Sequence, residues 1–288
     1  MLVYEGLSGA ATLPDWRRAL PDATLVLYLH SAPPRSCGRR ELERALGHAD
    51  HVVCVSESLR TQLVDRAPGA AGRTRVIGNG VDHATFQPAD PSGPPAGGDD
   101  APGAPFSLLF VGQVAPFKGP HRMLEATARA APRVDRPLRA TIVGSGTYDP
   151  AAALTDYERS LRELAGTSGL DVGFVPFTDK VTLAGFYRAA SLVCVPTTRA
   201  EPYGMVAVEA MACGTAVEVV SNRGALPEVG GDAVRVVDPD DVDRFADVLV
   251  KLVAHPERVA AMEAAGLERA RDRTWESVSR QLTGLARR

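Results

Sequence analysis

The chain has 288 residues, of which 45% are hydrophobic and 23% are charged, and its formal net charge is -3. This length fits one to two domains, and the apolar fraction is sufficient for a buried core. The small net charge excludes a surface field suited to nucleic acid or another polyanion. There is no apolar run of about 18 residues, and the first residues do not resemble a signal peptide, so we expect a cytoplasmic protein. The four scattered cysteines predict buried thiols rather than disulfides or a zinc site.

The first part of the chain alternates short apolar runs with helical patterns. Strands are predicted at 2–4, 24–29, 51–55 and 74–77, with helices between them. Alternation of this kind predicts a parallel, doubly wound sheet. A run rich in Pro, Gly and Asp over residues 89–105 cannot bury apolar surface and is predicted to be a linker.

The alternation resumes after the linker. Strands are predicted at 107–111, 139–143, 171–175, 192–195, 216–220 and 233–237, and helices near 119–131, 151–166, 180–189, 204–212, 226–229, 241–253 and 256–271, with one more helix in the tail. We therefore expect residues 1–88 and 106–288 to form two α/β domains.

The most informative segment is residues 201–209, Glu-Pro-Tyr-Gly-Met-Val-Ala-Val-Glu. A turn that contains glycine opens a helix there, so free backbone amides and the positive end of the helix dipole form an anion site. Glu209 lies about one and a half turns into the helix and can face the same crevice as Glu201. Because an apolar strand ends at Pro196 just before this turn, the site lies at the carboxyl end of a strand, where open α/β sheets bind ligands. Carboxylates beside an anion site suit a nucleotide sugar.

These residues resemble the retaining, GT-B-fold glycosyltransferases of family four, whose signature is two glutamates separated by seven residues. Other segments match in order: 79–82 with Phe86 and Pro88, 109–113 followed by Lys118-Gly119, and 227–229. The resemblance covers nearly the whole chain from about residue 24. It implies an α/β fold of GT-B type with two Rossmann-like doubly wound domains, the second of which binds the donor while the C-terminal helix packs back across the first.

The resemblance also implies that the N-terminal domain is incomplete, because the family's first three strands and glycine-rich loop have no counterpart. Residues 2–4 would then be the fourth strand. We expect this open strand edge to favour self-association or a partner that supplies the missing strands.

By the resemblance, the enzyme transfers a sugar from a nucleoside-diphosphate sugar to an acceptor hydroxyl without a metal ion or other cofactor. The family stabilises the leaving diphosphate with an arginine and a lysine. Lys118 matches the lysine, whereas Gln113 stands at the arginine position. Arg199 and Arg223 are both candidates for the missing cation.

The resemblance assigns the remaining site residues in the same way. Glu209 accepts hydrogen bonds from the ribose hydroxyls, Glu201 holds a hydroxyl of the donor sugar, and His30 contacts the sugar near the reacting carbon. The amides of residues 204–206 (Gly204, Met205 and Val206) meet the diphosphate or sugar, and the loop that begins at Val175 meets the base. The pair Gly144 and Gly146 either lets the chain approach the nucleotide or makes a turn.

Two other functions stay open at this point. A nucleotide-sugar-binding accessory or inactive subunit is favoured by the incomplete first domain and by Gln113. A GT-B epimerase would need more carboxylates and histidines in the crevice than this chain offers. The acceptor hydroxyl could belong to a small molecule, a natural product or a cell-envelope glycan.

Overall fold

The computed structural model describes residues 1–6, 10–34, 36–89, 103–147, 149, 152–219 and 221–286. Most of the predicted linker, residues 90–102, therefore lies outside the described residues. The chain divides into two compact units. The first unit comprises residues 1–80, 201–203 and 272–288, and the second comprises residues 81–200 and 204–271.

The first unit contains a parallel four-stranded sheet. Its elements in chain order are β1 (Leu2–Glu5), α1 (Leu13–Ala19), β2 (Leu25–Leu29), α2 (Arg39–Leu46), β3 (His51–Cys54), α3 (Glu57–Arg66) and β4 (Thr74–Val76). The strands are ordered β1-β2-β3-β4, with Leu2 opposite Leu25 and Val26 opposite His51. Every residue of β2 is buried, as expected for a strand covered on both faces. All four strands match the sequence prediction to within a residue.

The second unit contains a six-stranded parallel sheet. Its elements are β5 (Phe106–Val111), α4 (Pro120–Ala130), β6 (Leu138–Val143), α5 (Asp156–Thr167), β7 (Asp171–Val175), α6 (Lys180–Ala189), β8 (Leu192–Cys194), α7 (Met205–Ala212), β9 (Val217–Val219), α8 (Leu226–Gly230), β10 (Val234–Val236), α9 (Val242–Ala254) and α10 (Pro256–Arg271). The last helix, α11 (Trp275–Leu285), belongs to the first unit.

The strand order of this sheet is β10-β9-β8-β5-β6-β7. Counted from β5, this is the doubly wound order 3-2-1-4-5-6. The chain therefore reverses direction across the sheet between β5 and β8, which are hydrogen-bonded neighbours. The loops that follow these two strands lie at the topological switch point.

The core of the second unit lies between this sheet and its helices. Its largest buried side chains include Phe110, Met123, Ile142, Leu161 and Phe245. The helix predicted from residue 151 was placed too early, because it begins at Asp156. Thr155 stops it from extending further back: its side chain accepts from the amide of Glu158, and Glu158 bonds back to the amide of Thr155 in a capping box.

Candidate functional site at the switch point of the second unit

The loops after β5 and β8 are joined by hydrogen bonds to one carbonyl group. The carbonyl oxygen of Phe117 accepts from the amide of Thr198 at 2.9 Å, from Oγ1 of Thr197 at 3.1 Å and from Oγ1 of Thr198 at 3.3 Å. Because these loops follow the carboxyl ends of the two strands at the switch point, they form the edge of the sheet where ligands bind in this class of fold.

Lys118 lies in the first of these loops, at the end of a short 3-10 turn that begins at Pro116. It is half-buried, and its Nζ lies 6.0 Å from the centroid of the Phe117 ring. The next residue, Gly119, has φ = 74°, and an added Cβ would stand 2.0 Å from the carbonyl oxygen of Pro196. Only glycine permits this close approach of the two loops, so Gly119 fixes the backbone beside Lys118.

Arg199 lies in the second loop and stacks on the same aromatic ring. Its Cζ is 4.7 Å from the centroid of Phe117, within the range of a cation–π contact. Arg223, the other candidate for a compensating cation, donates to the carbonyl oxygen of Thr198 at 2.8 Å and pairs with Asp240 at 3.0 Å and Asp238 at 3.5 Å. The two candidates therefore differ in their partners, because Arg223 is already paired with two carboxylates.

The second loop ends where α7 begins. Gly204 adopts the left-handed conformation at the N-cap, with φ = 91°, and its carbonyl oxygen accepts from the amide of Ala207 at 3.0 Å. No side chain caps this end of the helix. The first amides of a helix have no acceptor within the helix, so those of Met205 and Val206 are donors at the positive end of the α7 dipole. The turn and the helix start lie where the sequence predicts them, and that they bind an anion stays a prediction.

Glu209 lies on α7 and is half-buried. The hydroxyl of Tyr187, a fully buried residue of α6, donates to its Oε2 at 2.9 Å. Burial raises the pKa of Glu209, although the Tyr187 hydrogen bond and the charge of Lys180 oppose the increase. Among the described residues no hydrogen bond engages Oε1. A ligand with hydroxyl groups could supply donors to that oxygen.

The glycine-rich loop after β6 is fixed from both sides. The amide of Gly146 donates to Oε1 of Glu158 at 2.9 Å, and its carbonyl oxygen accepts from Nε2 of Gln113 at 3.0 Å. The side-chain NH2 group of Gln113 therefore joins the loops after β5 and β6. Glu158 is buried, and its desolvation is outweighed by donors from Thr155 and Gly146, which lower its pKa below its ordinary value.

Val175 ends β7, and its carbonyl oxygen accepts from the amide of Gly144 at 2.9 Å. Two residues further on, the amide of Phe177 donates to Oγ of Ser145 at 3.1 Å. Phe177 is 52% exposed, and its amide joins this loop to the glycine-rich loop. That Val175 and this loop contact a nucleotide base stays a prediction.

Two predicted site residues belong to the first unit. His30 follows β2; its ring centroid is 4.3 Å from that of Tyr28, and its buried Nε2 has no hydrogen bond within the described part of the chain. The nearest carboxylate oxygen is Oε1 of Glu5, at 3.9 Å. Glu201 begins the 201–203 segment of this unit.

Two hydrogen bonds anchor the 201–203 segment. Oγ of Ser56 donates to the carbonyl oxygen of Pro202 at 2.7 Å, and the hydroxyl of Tyr203 donates to the carbonyl oxygen of Asn79 at 2.9 Å. The two-glutamate motif is therefore divided between the units, with Glu201 in the first and Glu209 in the second. That the two carboxylates face one crevice stays a prediction.

Some of these partners were missed by the sequence analysis. The sequence pattern predicts that Tyr187 is an ordinary aromatic core residue of a helix. It does not indicate that the Tyr187 hydroxyl donates to Glu209. The Thr-x-x-Glu spacing at residues 155–158 signals a capping box, but it does not reveal that Glu158 also accepts a hydrogen bond from the amide of Gly146.

Within the described residues, no group of three or more His, Cys, Asp or Glu side chains is arranged to hold a metal ion. None of the described helices is both long and apolar enough to cross a bilayer.

The chain is similar to two known glycosyltransferase families. The family model "Glycosyl transferases group 1" matches residues 100–269, and the "Glycosyltransferase Family 4" model matches residues 6–85. The chain belongs to the glycosyl transferases group 1 family.

Two curated relatives of this chain are inositol-phosphate glycosyltransferases by name. "D-inositol 3-phosphate glycosyltransferase" of Saccharomonospora viridis is 33% identical over 252 residues, which is 85% of this chain and 57% of the relative. "D-inositol 3-phosphate glycosyltransferase 1" of Catenulispora acidiphila is 33% identical over 262 residues, which is 88% of this chain and 60% of the relative. The chain thus spans less than two thirds of the length of these relatives.

Solved structures of other proteins superpose on this chain and show its fold. Sucrose-phosphate synthase from Thermosynechococcus elongatus superposes with a TM-score of 0.78 at 24% identity, covering 99% of this chain and 72% of that one. Anabaena Alr3699/HepE in complex with UDP and glucose superposes with a TM-score of 0.79 at 22% identity, covering 98% and 76%. The predicted α/β fold with two Rossmann-like, GT-B-type domains is thereby confirmed.

Proposed function

We propose that the protein is a glycosyltransferase that moves a sugar from a UDP-sugar to an acceptor hydroxyl. The observation that supports this proposal is that Lys118, the first amides of α7 and Glu209 all lie on segments that directly follow β5 or β8, the two strands of the switch point. Amides and a cation suit a diphosphate, and a carboxylate suits the ribose hydroxyls. The choice of uridine is supported by the Anabaena protein, which was crystallised with UDP and with UDP-glucose.

The acceptor is proposed to be a polyol phosphate, because the curated relatives are named for D-inositol 3-phosphate. The reaction is proposed to retain the configuration at the anomeric carbon and to need no metal ion. In this scheme the acceptor oxygen bonds to the anomeric carbon while the bond from that carbon to the diphosphate breaks. The acceptor proton passes to the departing phosphate oxygen, whose developing charge is stabilised by Lys118 and the α7 amides.

Glu201 and His30 are proposed to contact the donor sugar. Both lie in the first unit. Glu201 belongs to the segment anchored through Ser56 and Tyr203, and His30 lies at the carboxyl end of β2.

A cytoplasmic location is proposed because Cys54, Cys194 and Cys213 are buried free thiols, which is typical of a reducing compartment.

The reaction is tested by incubating the protein with UDP-glucose and D-inositol 3-phosphate in the presence of EDTA. We expect UDP release that depends on the acceptor, and a product whose anomeric proton coupling in NMR matches that of the donor. Glu209→Ala is the inactive control. A protein that binds UDP but forms no product with a panel of UDP-sugars and polyol phosphates would support the accessory-subunit alternative instead.

Self-association through β1 is a further proposal. This strand is the edge of the described four-stranded sheet, and Val3 within it is 39% exposed. An exposed edge strand offers unpaired backbone groups to a second copy. Light scattering across a concentration series is expected to show an increase in mass that Val3→Lys reduces. A mass that stays constant across the series would contradict this proposal.

A further inference from the structure

Arg199 occupies a defined position although its side chain is exposed. Its guanidinium stacks 4.7 Å from the centroid of Phe117, and the neighbouring Thr198 is bonded to the Phe117 carbonyl through both its amide and its hydroxyl. The carbonyl oxygen of Arg199 also accepts from Oγ1 of Thr197 at 3.1 Å. The backbone that carries Arg199 is thus held against the loop that carries Lys118.

Most cationic side chains of this region already have carboxylate partners. Arg223 pairs with Asp238 and Asp240, and Arg122 pairs with Glu125 at 3.1 Å and with Asp240 at 3.3 Å. His121, whose ring accepts or donates at 2.7 Å to the Tyr157 hydroxyl, has a pKa lowered by burial and by the charge of Arg122. These groups contribute little net positive charge to a ligand.

Arg199 differs from these groups. Within the described residues no carboxylate lies at ion-pair distance from its guanidinium. Gln113 offers no charge, and its NH2 group already donates to Gly146. A nucleoside diphosphate brings at least two negative charges, and Lys118 contributes a single positive one.

We propose that Arg199 binds the diphosphate of the donor together with Lys118. The inference rests on the proposed function, because it assumes that a nucleoside diphosphate occupies the switch point. Stacking on Phe117 restricts the guanidinium before the ligand arrives, so less side-chain entropy is lost on binding. The planar guanidinium can donate two parallel hydrogen bonds to phosphate oxygens, which a lysine cannot do.

The test is calorimetric titration of UDP into four proteins: wild type, Arg199→Gln, Arg199→Lys and Arg258→Gln. Arg258 is an exposed residue of α10, outside the loops that follow β5 and β8, and provides a matched loss of one charge. We expect Arg199→Gln to weaken UDP binding about tenfold, the scale of a lost charge-assisted hydrogen bond. Arg199→Lys is expected to fall between wild type and Arg199→Gln, and Arg258→Gln to match wild type.

Salt dependence provides a readout that a purely structural role would not change. If Arg199 pairs with phosphate, the dissociation constant of Arg199→Gln rises less steeply with salt than that of wild type, because one screened ion pair is missing. Parallel salt slopes and equal affinities for Arg199→Gln and Arg258→Gln would overturn the inference. In that case Glu209→Ala shows whether the proposed function survives, since it weakens UDP binding independently of Arg199. Failure of the wild-type protein to bind UDP would overturn both.

Discussion

The hydroxyl of Tyr187 donates a 2.9 Å hydrogen bond to Oε2 of Glu209 from inside the core of the second unit. Within the described residues, the Glu209 side chain accepts no other hydrogen bond. Burial raises the pKa of this carboxyl above its ordinary value of 4.5. An acid with a raised pKa binds its proton more tightly in the folded state than in the unfolded state. At neutral pH the ionised Glu209 therefore lowers the stability of the unliganded protein. A ligand whose hydroxyl groups donate hydrogen bonds to the carboxylate would offset this cost.

Glu209→Gln is accordingly expected to raise the melting temperature of the unliganded protein at pH 7.5 while weakening UDP binding. The stability contributed by Glu209 is complete below pH 4.5 and is lost as the pH rises through the raised pKa. The gain from the substitution should therefore vanish near pH 4. Thermal unfolding at the two pH values measures this difference, and Glu163→Gln, an exposed carboxylate of α5, is the control. Equal melting temperatures at pH 7.5 would contradict this account.

Tyr187→Phe removes the hydrogen bond that stabilises the Glu209 carboxylate, so the pKa of Glu209 is expected to rise further. If ionised Glu209 binds the ribose, UDP affinity falls as the pH drops through that pKa, and in the variant this fall begins at a higher pH. UDP titrations between pH 5 and pH 8 provide the profile. Tyr157→Phe, which loses a hydroxyl bonded to His121 instead, should keep the wild-type profile. Identical profiles for all three proteins would argue that Tyr187 does not tune Glu209.

Gly119→Ala is expected to disturb the site and the fold together. The residue has φ = 74°, and the new Cβ would overlap the carbonyl oxygen of Pro196. We expect a loss of about 2 kcal/mol or more in the free energy of unfolding, and weaker UDP binding because the loop that carries Lys118 must move. Gly185→Ala is the control, because an added Cβ there meets nothing within 4 Å and lies inside α6, where alanine is favoured by up to about 1 kcal/mol. Wild-type stability of Gly119→Ala would show that the loops are not packed as described.

Glu158→Gln tests the support of the glycine-rich loop. The carboxylate accepts from the amides of Gly146 and Thr155, and its pKa lies below the ordinary value of 4.5. Its contribution to stability is present above pH 4.5 and is lost as the pH falls through the lowered pKa. We expect the substitution to cost about 2 kcal/mol at pH 7, the scale of hydrogen bonds to a charged group, and less at pH 3.5. Denaturant unfolding at both pH values decides this, and a cost that does not depend on pH would be contrary to the role assigned to the ionised carboxylate.

The order of the elements was predictable because the strands are short apolar runs, most of which are followed within three residues by glycine or proline. The strand of residues 192–194, for example, is followed by Pro196 and then by the glycine turn before α7. The position of the glycine turn and of the start of α7 followed from the same local pattern. By contrast, the contacts of Gln113 with Gly146 and of Arg199 with Phe117 join residues far apart in sequence, so no local pattern reports them. For the same reason, sequence alone did not decide between Arg199 and Arg223.

The central claim is that the second unit carries a site for a nucleoside diphosphate that needs no metal ion. Calorimetric titration of UDP in the presence of EDTA tests it most directly, with Glu209→Ala as the comparison. We expect saturable binding at one site, the same affinity without EDTA, and a loss of about 1.5–3 kcal/mol in the variant, which corresponds to about a tenfold to hundredfold weaker affinity. Binding that disappears with the chelator, or that is the same in Glu209→Ala and wild type, would contradict the account.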